Sequence, residues 1–371
     1  MYSVAAFTDT YLPTVNGATY TVKTWRDRWR DRGGRMDVVY PDSPAHSPAD
    51  GEHPVRSVPF PFYDGFRFGL PSVPDGVADV DVVHAHTPFS LGLAGYRLAR
   101  GDRPLVANYH TPTGEYVAYL TSRGPVERGL EAVSTRYERW FYRRADVVVA
   151  PSESAREHLL EEVGVADRGP ATSVEVIPNG VDTERFRPVE TDAFRRRHGL
   201  EGETLVGYTG RHGHEKRLED VLDACEGLDV TVVFGGDGPA RARLERAAAE
   251  RDVTARFLGF LDRAELPAFY SALSAFLFPS PVETQGIVAL EANACGTPVV
   301  GVDAGALSDT VDDGETGHHF RPGDVEGFRD AVERTLATRE SLSETCLARR
   351  DAVSVSHAVD RLRDVYDGVM P

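Results

Sequence analysis

The fold of this chain is decided by the stretch Phe276-Leu277-Phe278-Pro279-Ser280-Pro281-Val282-Glu283-Thr284-Gln285-Gly286-Ile287-Val288-Ala289-Leu290-Glu291-Ala292, which continues to Gly296-Thr297-Pro298-Val299-Val300. It predicts a buried strand over 275–278, a loop, a helix that begins near Gly286 and a second buried strand over 298–301. A strand–helix–strand unit of this kind builds a parallel sheet, and it leaves the helix N-terminus at the edge where ligands bind. The chain is therefore predicted to be an α/β protein.

Two glutamates lie in this unit, Glu283 on the loop and Glu291 within the helix, so both carboxylates are expected to reach one ligand. The free amides of Gly286, Ile287 and Val288, in the first helical turn, favour an anion such as a pyrophosphate. Carboxylates on either side of that turn suit a molecule with hydroxyls on either side of its phosphates, and a nucleotide sugar is such a molecule. The alternative is a surface glutamate and an unrelated helix glutamate.

The length and the charge of the chain narrow its class. Its 371 residues are enough for two domains with full-sized cores. The net charge is −17, from 58 acidic and 41 basic residues, and Lys23 and Lys216 are the only lysines. Such a surface suits a high-salt cytoplasm, so we expect a halophilic protein, although a GC-rich genome also favours arginine codons. The balance argues against nucleic-acid binding, which needs a concentrated basic face.

Composition also indicates where the protein acts. Cys225, Cys295 and Cys346 are scattered without metal-site spacing, which favours a reducing compartment. The apolar start over residues 1–7 is too short for a signal peptide, and no apolar run approaches the roughly 20 residues of a membrane span. We expect a soluble cytoplasmic protein that either stays free or is peripheral at the inner face of the cell membrane.

A family resemblance rests on the same stretch. Glu283-x7-Glu291, followed by Ala292 and Cys295-Gly296-Thr297-Pro298-Val299-Val300, resembles the donor-site signature of the retaining family-4 glycosyltransferases, or glycosyl transferases group 1. The resemblance implies the GT-B fold, with two Rossmann-like domains facing a cleft. Residues 1–186 would be the acceptor side and 187–354 the nucleotide-sugar donor side, and the segment 355–371, with a helix over about 355–369, would cross back to the N-terminal domain. Thr284-Gln285 replaces the family's usual aromatic, and this variant resembles members that glycosylate lipids.

The N-terminal half begins with a strand over 3–8, an Asn16-Gly17 turn and a helix over about 19–32. Asn-Gly is common in ordinary turns, but a glycine between strand and helix also lets backbone amides approach a ligand. The family carries a glycine-rich loop here whose amides contact the donor phosphate. Gly17 matches this loop, and Ala18 replaces its second glycine.

Two groups of aromatic residues each allow two interpretations. Trp25 and Trp29 stand beside arginines on the first helix, which fits either a surface on anionic lipid or a half-buried helix. The segment 56–71 is rich in aromatics, prolines and glycines, which fits either loop packing or an apolar acceptor site. Its aromatics are Phe60, Phe62, Tyr63, Phe66 and Phe68.

Strands over 81–86 and 105–111 end in histidine, at the edge where parallel sheets present their site residues. His84, His86 and His110 would suggest zinc, but no carboxylate or cysteine joins them at ligand spacing, so no metal site is predicted. The segment around His110 resembles the family's active-site histidine, which contacts the transferred sugar near the reaction centre. We carry that role to His110 and expect His86 on the acceptor side.

The C-terminal half follows a predicted linker over about 186–203 and opens with a strand over 204–210. Two fixed cations neutralise a leaving diphosphate, so Arg211 followed five residues later by Lys216 is chemically suitable. The alternative is a pair of solvated basic residues before a helix. The family places an arginine and a lysine with this spacing on the donor phosphates, so both residues are assigned that role, and Lys216 is expected to be exposed.

The remaining donor contacts are implied by position. Gly259, Phe260 and Leu261 resemble the stretch whose backbone contacts the nucleobase, while the Gly-Gly-Asp-Gly turn over 235–238 resembles a structural turn. We expect the Glu291 carboxylate to accept hydrogen bonds from the ribose hydroxyls. The Glu283 carboxylate should bond a hydroxyl of the sugar.

These observations predict a retaining hexosyltransferase of the EC 2.4 class. It would move a mannose- or glucose-type sugar from a GDP- or UDP-sugar to a hydroxyl of a glycolipid, a polyprenol-linked glycan or another saccharide, with contact to a membrane surface left open. Retention is implied by the resemblance. No cofactor or metal is expected, because the one Asp-x-Asp pair, Asp79 and Asp81, enters a strand. The alternatives are a sugar-nucleotide epimerase of similar fold and a catalytically silent nucleotide-sugar-binding or membrane-docking protein.

Overall fold

The computed structural model describes residues 1–14, 16–60, 67–110, 124–165 and 172–370, and it gives the backbone alone for 124–132. The chain forms two compact units. The N-terminal unit is Met1–Asn179 together with Ala358–Pro371, and the C-terminal unit is Gly180–His357. Each unit is built on its own parallel sheet.

The N-terminal unit contains seven parallel strands in the order β3-β2-β1-β6-β7-β8-β9, and β4 and β5 form a separate antiparallel hairpin. Because the order reverses between β1 and β6, the sheet is doubly wound, with a crevice at that reversal. Strands covered on both faces are continuous apolar runs, as in Val147–Ala150. The strands are β1 Ser3–Phe7, β2 Arg35–Pro41, β3 Glu52–Val55, β4 Ser57–Pro59, β5 Arg67–Gly69, β6 Val82–Ala85, β7 Leu105–Asn108, β8 Val147–Ala150 and β9 Ser173–Val176.

Helices pack on the sheet of the N-terminal unit. Along β6, Val83 and Ala85 belong to the core that also includes the helix Ser90–Ala99, and the His84 side chain points to the opposite face of the sheet. The helical segments are Gly17–Asp31, the 3₁₀ turn Asp75–Val77, Ser90–Ala99, Gly124–Tyr142, Glu153–His158, the π-helical turn Leu159–Val163 and Val355–Val369.

The first helix begins at Gly17, slightly earlier than its periodicity predicts. The reason is a cap: Oδ1 of Asn16 accepts a hydrogen bond from the N–H of Thr19 at 2.8 Å. Trp25 and Trp29 are both fully buried. The half-buried helix is therefore confirmed, and the interpretation of these tryptophans as a lipid-facing surface is wrong.

The last helix, Val355–Val369, has the predicted bounds, and most of it belongs to the N-terminal unit. Tyr366 meets the ring of Trp29 edge-on at 5.1 Å between centroids, and its hydroxyl lies 2.6 Å from Nδ1 of His84. Nε2 of His84 lies 2.6 Å from Oδ1 of Asn108, which only accepts, so the ring donates there and accepts the tyrosine proton. A neutral buried histidine thus joins the helix to the sheet.

The C-terminal unit contains six parallel strands in the order β12-β11-β10-β13-β14-β15, with the reversal between β10 and β13. The strands are β10 Leu205–Thr209, β11 Thr231–Gly235, β12 Thr254–Gly259, β13 Ala275–Phe278, β14 Val299–Val302 and β15 Gly317–Phe320. The helical segments are Asp192–His198, the 3₁₀ turn His214–Lys216, Glu219–Cys225, Arg241–Glu250, Leu266–Ala272, Ile287–Ala294, Leu307–Thr310, Val325–Ala337 and Arg339–Ala348.

The segment 186–203, expected to be a linker, is instead part of the C-terminal unit. Phe186, Phe194 and Leu200 are buried in the core of this unit, and the helix Asp192–His198 lies among them. These apolar residues stand far apart among charged ones, so no hydrophobic periodicity indicates that they are buried.

We predict that Tyr366→Phe lowers the free energy of unfolding of the N-terminal unit by about 1–3 kcal/mol, because Nδ1 of the buried His84 loses its donor. Urea unfolding followed by tryptophan fluorescence measures this unit selectively, since all three tryptophans of the chain lie in it. The matched control is Tyr2→Phe, whose hydroxyl donates to Asp367 of the same helix at 2.8 Å in an exposed position. The loss for Tyr2→Phe should be much smaller than that for Tyr366→Phe, and equal losses for both variants would contradict this account.

Candidate active site

The reversal in the C-terminal sheet brings together two of the predicted residues. The loops that follow β10 and β13 start at the same edge of the sheet, and there Nζ of Lys216 lies 2.6 Å from Oε1 of Glu283. The two side chains are only 17% and 16% exposed. The expectation that Lys216 is exposed is therefore wrong, because its ion pair draws it against the neighbouring loop.

The other predicted cation, Arg211, lies on the same loop, where its guanidinium forms an ion pair with the carboxylate of Glu215. Glu215 stands between the two cations in the sequence, but sequence reasoning did not single it out. Acidic residues beside basic ones are usual in a chain of this composition. The spacing of four residues was the only signal that the pair would form.

The glycine-rich turn that follows β11 supports the loop of Arg211. A Cβ on Gly236 would lie 2.0 Å from the carbonyl oxygen of Gly210, so the two backbones touch only because residue 236 lacks a side chain. The N–H of His212 donates to the carbonyl of Asp237 at 2.8 Å, and the N–H of Ala240 donates to the carbonyl of His212 at 2.8 Å. These contacts agree with the structural role that was expected of this turn.

The helix that was predicted to bind an anion begins where the sequence predicts. Gly286 caps it with a φ of 73°, a left-handed conformation that favours glycine, and the helix runs over Ile287–Ala294. The first amides of an α-helix have no intrahelical partner, so those of Ile287 and Val288 face the end of the helix. The loop before the helix is braced, because Thr310 Oγ1 donates to the carbonyl of Gln285 at 2.6 Å.

Glu291, the second predicted glutamate, lies within this helix and has partners of its own. Its side chain is buried, with Oε2 accepting from the hydroxyl of Tyr270 at 2.9 Å and Oε1 lying 3.3 Å from the guanidinium of Arg263. Burial raises the pKa of Glu291, although Arg263 and Tyr270 oppose this shift. Sequence reasoning missed both partners. Only the position of Arg263, shortly after the predicted nucleobase stretch, connected it with the site.

The predicted nucleobase stretch lies where β12 ends. Gly259 has a φ of 73°, and its carbonyl accepts a hydrogen bond from the N–H of Gly236 at 2.6 Å. Phe260 is 70% exposed, whereas Leu261 is buried. The stretch therefore presents an exposed aromatic side chain beside the glycine-rich turn.

The reversal in the N-terminal sheet holds a carboxylate that sequence reasoning missed. Asp9 follows β1 and is buried, where it accepts hydrogen bonds from Thr87 Oγ1 at 2.5 Å, Ser90 Oγ at 2.7 Å and the N–H of Leu91 at 3.2 Å. Burial raises its pKa against these bonds. Gly17, the predicted phosphate contact, begins the first helix at the end of the same loop.

The three predicted histidines lie together in the N-terminal unit. Nδ1 of His86 is 3.2 Å from Nε2 of His110, and the rings of His84 and His86 stack at 4.3 Å between centroids. Burial lowers the pKa of His84 to about 4 and that of His110 to about 3, and it lowers the pKa of His86 well below its usual value. All three rings are therefore neutral near pH 7. Within the described ranges, no three His, Cys, Asp or Glu side chains are arranged to hold a metal ion.

Part of the aromatic segment lies outside the described residues, namely Phe62, Tyr63 and Phe66. On the described hairpin, Val58 faces Phe68 across the two strands, and these side chains are 49% and 39% exposed. Among the helices that the structure describes, none is both long and apolar enough to cross a membrane.

Comparison with known proteins identifies the family. Residues 15–185 match the model for Glycosyltransferase Family 4, and residues 190–346 match the model for Glycosyl transferases group 1. A GDP-mannose-dependent alpha-mannosyltransferase of Mycolicibacterium smegmatis is 34% identical over 99% of this chain and 97% of its own length. The chain belongs to the glycosyl transferases group 1, and it is a glycosyltransferase of the EC 2.4 class. The epimerase and the silent protein find no support among these matches.

Two further relatives extend the comparison. An alpha-monoglucosyldiacylglycerol synthase of Streptococcus pneumoniae is 27% identical over 98% of this chain and 85% of its own length. The structure of a sucrose-phosphate synthase from Thermosynechococcus elongatus superposes with a TM-score of 0.78 at 22% identity, covering 100% of this chain and 99% of that one. With the two parallel sheets, this likeness confirms the predicted GT-B fold.

The neutral histidines predict a pH dependence of stability. Their folded pKa values lie below the unfolded value of about 6.5, so their contribution is complete above pH 6.5 and is lost as the pH falls toward 4. Each such histidine should cost up to about 1.4 kcal/mol per pH unit in that window. His84→Gln replaces the imidazole by an amide, which also accepts and donates hydrogen bonds. As the pH falls, the free energy of unfolding of this variant should decrease less steeply than that of the wild type, and the difference should equal the contribution of one histidine. Parallel pH profiles in tryptophan-monitored unfolding would contradict the prediction.

Proposed function

We propose that this glycosyltransferase moves a hexose of the mannose or glucose type from a GDP- or UDP-sugar to an acceptor hydroxyl, with retention at the anomeric carbon. The observation that carries the proposal is the meeting of Lys216 and Glu283 beside the helix that begins at Ile287. A cation, a carboxylate and unpaired helix amides at one strand-order reversal match the diphosphate and the hydroxyls of such a donor. Family membership supports the same reaction.

The C-terminal unit would stabilise the leaving diphosphate. Arg211 and Lys216 supply positive charge, and the amides of Gly286, Ile287 and Val288 supply oriented hydrogen-bond donors. We propose that these groups balance the developing charge without a metal ion. The leaving phosphate would then take the proton of the acceptor hydroxyl on the same face of the sugar.

The other residues of this unit would position the donor. Gly259, Phe260 and Leu261 would contact the nucleobase, and Glu283 would bond a hydroxyl of the sugar. Glu291 would bind the ribose. Each of its carboxylate oxygens has one protein partner, which leaves further lone pairs for ribose hydroxyls. The two glutamates would thus serve different parts of one molecule.

The N-terminal unit would supply the acceptor side. His110 would contact the transferred sugar near the reaction centre, with its ring oriented by His86, and Gly17 would offer backbone amides to the donor phosphate. A neutral histidine at this point can share a hydrogen bond with the sugar without adding charge to the departing group.

We propose a membrane-associated acceptor, either a glycolipid or a lipid-linked glycan. The exposed pair Val58 and Phe68 on a two-stranded hairpin supports an apolar partner, and so does the synthase relative whose name includes diacylglycerol. The protein would then act as a peripheral enzyme at the inner face of the cell membrane. A sugar acceptor in solution is the alternative outcome of an acceptor screen.

The test is acceptor-dependent release of nucleoside diphosphate in excess EDTA. GDP-mannose and UDP-glucose are offered in turn, with glycolipid vesicles, a polyprenol-linked sugar or free sugars as acceptors. We expect release only when donor and acceptor are both present, and an α-linked product from these α-linked donors. Lys216→Ala should slow transfer roughly ten- to a hundredfold, because a charge-assisted contact of about 1.5–3 kcal/mol is lost.

The chain offers a matched control for that variant. Lys23, the only other lysine, forms an exposed ion pair with Asp27 on the first helix, so Lys23→Ala should leave transfer unchanged. Near-normal turnover by a folded Lys216→Ala protein would contradict the role of Lys216. Activity that is restored only by added Mn²⁺ or Mg²⁺ would show that a metal supplies the charge.

The two glutamates should separate in a binding experiment. Glu291→Gln should weaken binding of the free nucleoside diphosphate and of the intact donor alike, because both contain the ribose. Glu283→Gln should spare the diphosphate and chiefly slow transfer, because its contact orients the sugar. Calorimetric titration of both variants with both ligands checks this division, with thermal unfolding by circular dichroism to establish that each variant is folded. Equal losses for both variants with both ligands would refute it.

A further inference from the structure

The loop over residues 210–217 holds a carboxylate against the cation that we assign to the diphosphate. Glu215 forms an ion pair with Arg211, and the two side chains are 33% and 36% exposed, so solvent and ligand can reach both of them. Glu283, the carboxylate beside Lys216, has a proposed contact with the sugar. Glu215 has no part in the function proposed above.

The position of Glu215 depends on a glycine. A Cβ on Gly213 would lie 2.2 Å from both carboxylate oxygens of Glu215, so the carboxylate occupies the space that any other residue at 213 would fill. Real Cβ atoms do not approach an oxygen so closely, so a side chain at 213 would force the carboxylate of Glu215 to move.

The turn that presents Glu215 is also fixed at its other end. The 3₁₀ turn His214–Lys216 ends at Arg217, which has a φ of 52° and is the only residue other than glycine with a positive φ in the described part of the chain. This left-handed conformation is unfavourable for a residue with a side chain. A hydrogen bond from Nε of Arg217 to Asp220 at 2.8 Å helps to maintain it.

The neighbourhood of Glu215 is that of the proposed donor phosphates. Arg211, Glu215 and Lys216 lie on the loop that follows β10, and Lys216 joins this loop to Glu283. A Cβ on Gly210 would lie 2.7 Å from the hydroxyl of Tyr208, so that hydroxyl lies against the same loop. Glu215 is thus on the same loop as both proposed phosphate contacts.

We propose that Glu215 competes with the diphosphate for Arg211 and thereby lowers the affinity of the enzyme for its nucleoside diphosphate product. The inference rests on the proposed function, since it takes Arg211 as a phosphate contact. A diphosphate that reaches Arg211 meets a like charge on Glu215 and must share or replace an existing ion pair. Glu215 is therefore a positioning residue that acts on the ligand through Arg211.

This competition would help a transferase that binds its diphosphate with fixed cations. Two cations and a helix N-terminus also bind the free diphosphate after transfer, which slows its release. A carboxylate that takes back one cation opposes this excess binding. The leaving group is stabilised while it forms, and the free diphosphate departs more readily.

The test is the affinity of the full-length protein for GDP and UDP, measured by calorimetry at fixed ionic strength in EDTA. Glu215→Gln keeps the size of the side chain and removes its charge. It should bind the better of the two nucleotides about three- to tenfold more tightly than the wild type. The control is Glu219→Gln, which removes the same charge four residues later, where the carboxylate pairs with Arg243 at 2.5 Å. Its affinity should match that of the wild type.

A double-mutant cycle shows whether the effect passes through Arg211. Arg211→Ala should weaken binding, and adding Glu215→Gln to that variant should give no further gain. A gain of equal size in the Arg211→Ala background would overturn the proposal, because the effect would then be a general loss of negative charge. Unchanged or weaker binding by Glu215→Gln alone would also overturn it.

The cycle also distinguishes this inference from the function on which it rests. If the wild type binds a nucleotide and Lys216→Ala weakens that binding, the proposed donor site is supported, whatever affinity is measured for Glu215→Gln. If the wild type binds neither GDP nor UDP, the proposed function and this inference fall together. Thermal unfolding by circular dichroism should give closely similar melting temperatures for the two glutamine variants, since both carboxylates are partly exposed.

Discussion

Both units depend on one constraint of parallel sheets: the loops at the carboxyl edge diverge where the strand order reverses. The first residues after the two flanking strands then face each other with no helix between them. In the N-terminal unit this brings Asp9 next to Thr87 and Ser90. In the C-terminal unit it brings Lys216 next to Glu283. The backbone topology thus places polar groups that the chain keeps far apart.

The C-terminal unit would have to bind an anionic ligand, the proposed diphosphate, within an acidic protein. A net charge of −17 repels anions, so a site for the proposed diphosphate needs concentrated positive charge. Under the proposed function Lys216 and Arg211 provide it, and each contacts a carboxylate, Glu283 and Glu215 respectively. A lysine is a compact charge on a flexible stem, so it can turn from a carboxylate to a phosphate without losing a fixed bidentate geometry. This difference fits the use of a lysine in a chain that otherwise relies on arginine.

The N-terminal unit pairs several of the polar groups that it buries near the end of its central strands. His84 uses both ring nitrogens, His86 contacts His110, and Asp9 accepts several bonds at the start of a helix. A buried charge without partners would be expensive, and these histidines avoid the cost by remaining neutral. The last helix is attached through the same set, since Tyr366 donates to His84. The stacked histidines and the returning helix therefore form one rigid support.

The sequence alone determined the strand–helix–strand stretch over 275–301, the bounds of Val355–Val369 and the family signature, because periodicity and motif spacing are properties of neighbouring residues. Tertiary structure decided what the predicted residues contact. Glu291 meets Tyr270 across 21 residues, and Lys216 meets Glu283 across 67. The burial of Glu291, and of Phe186, Phe194 and Leu200 in the supposed linker, depends on elements that pack from elsewhere in the unit. Whether a side chain is buried, and which residue it contacts, depends on distances in the folded structure, and no local sequence pattern encodes these distances.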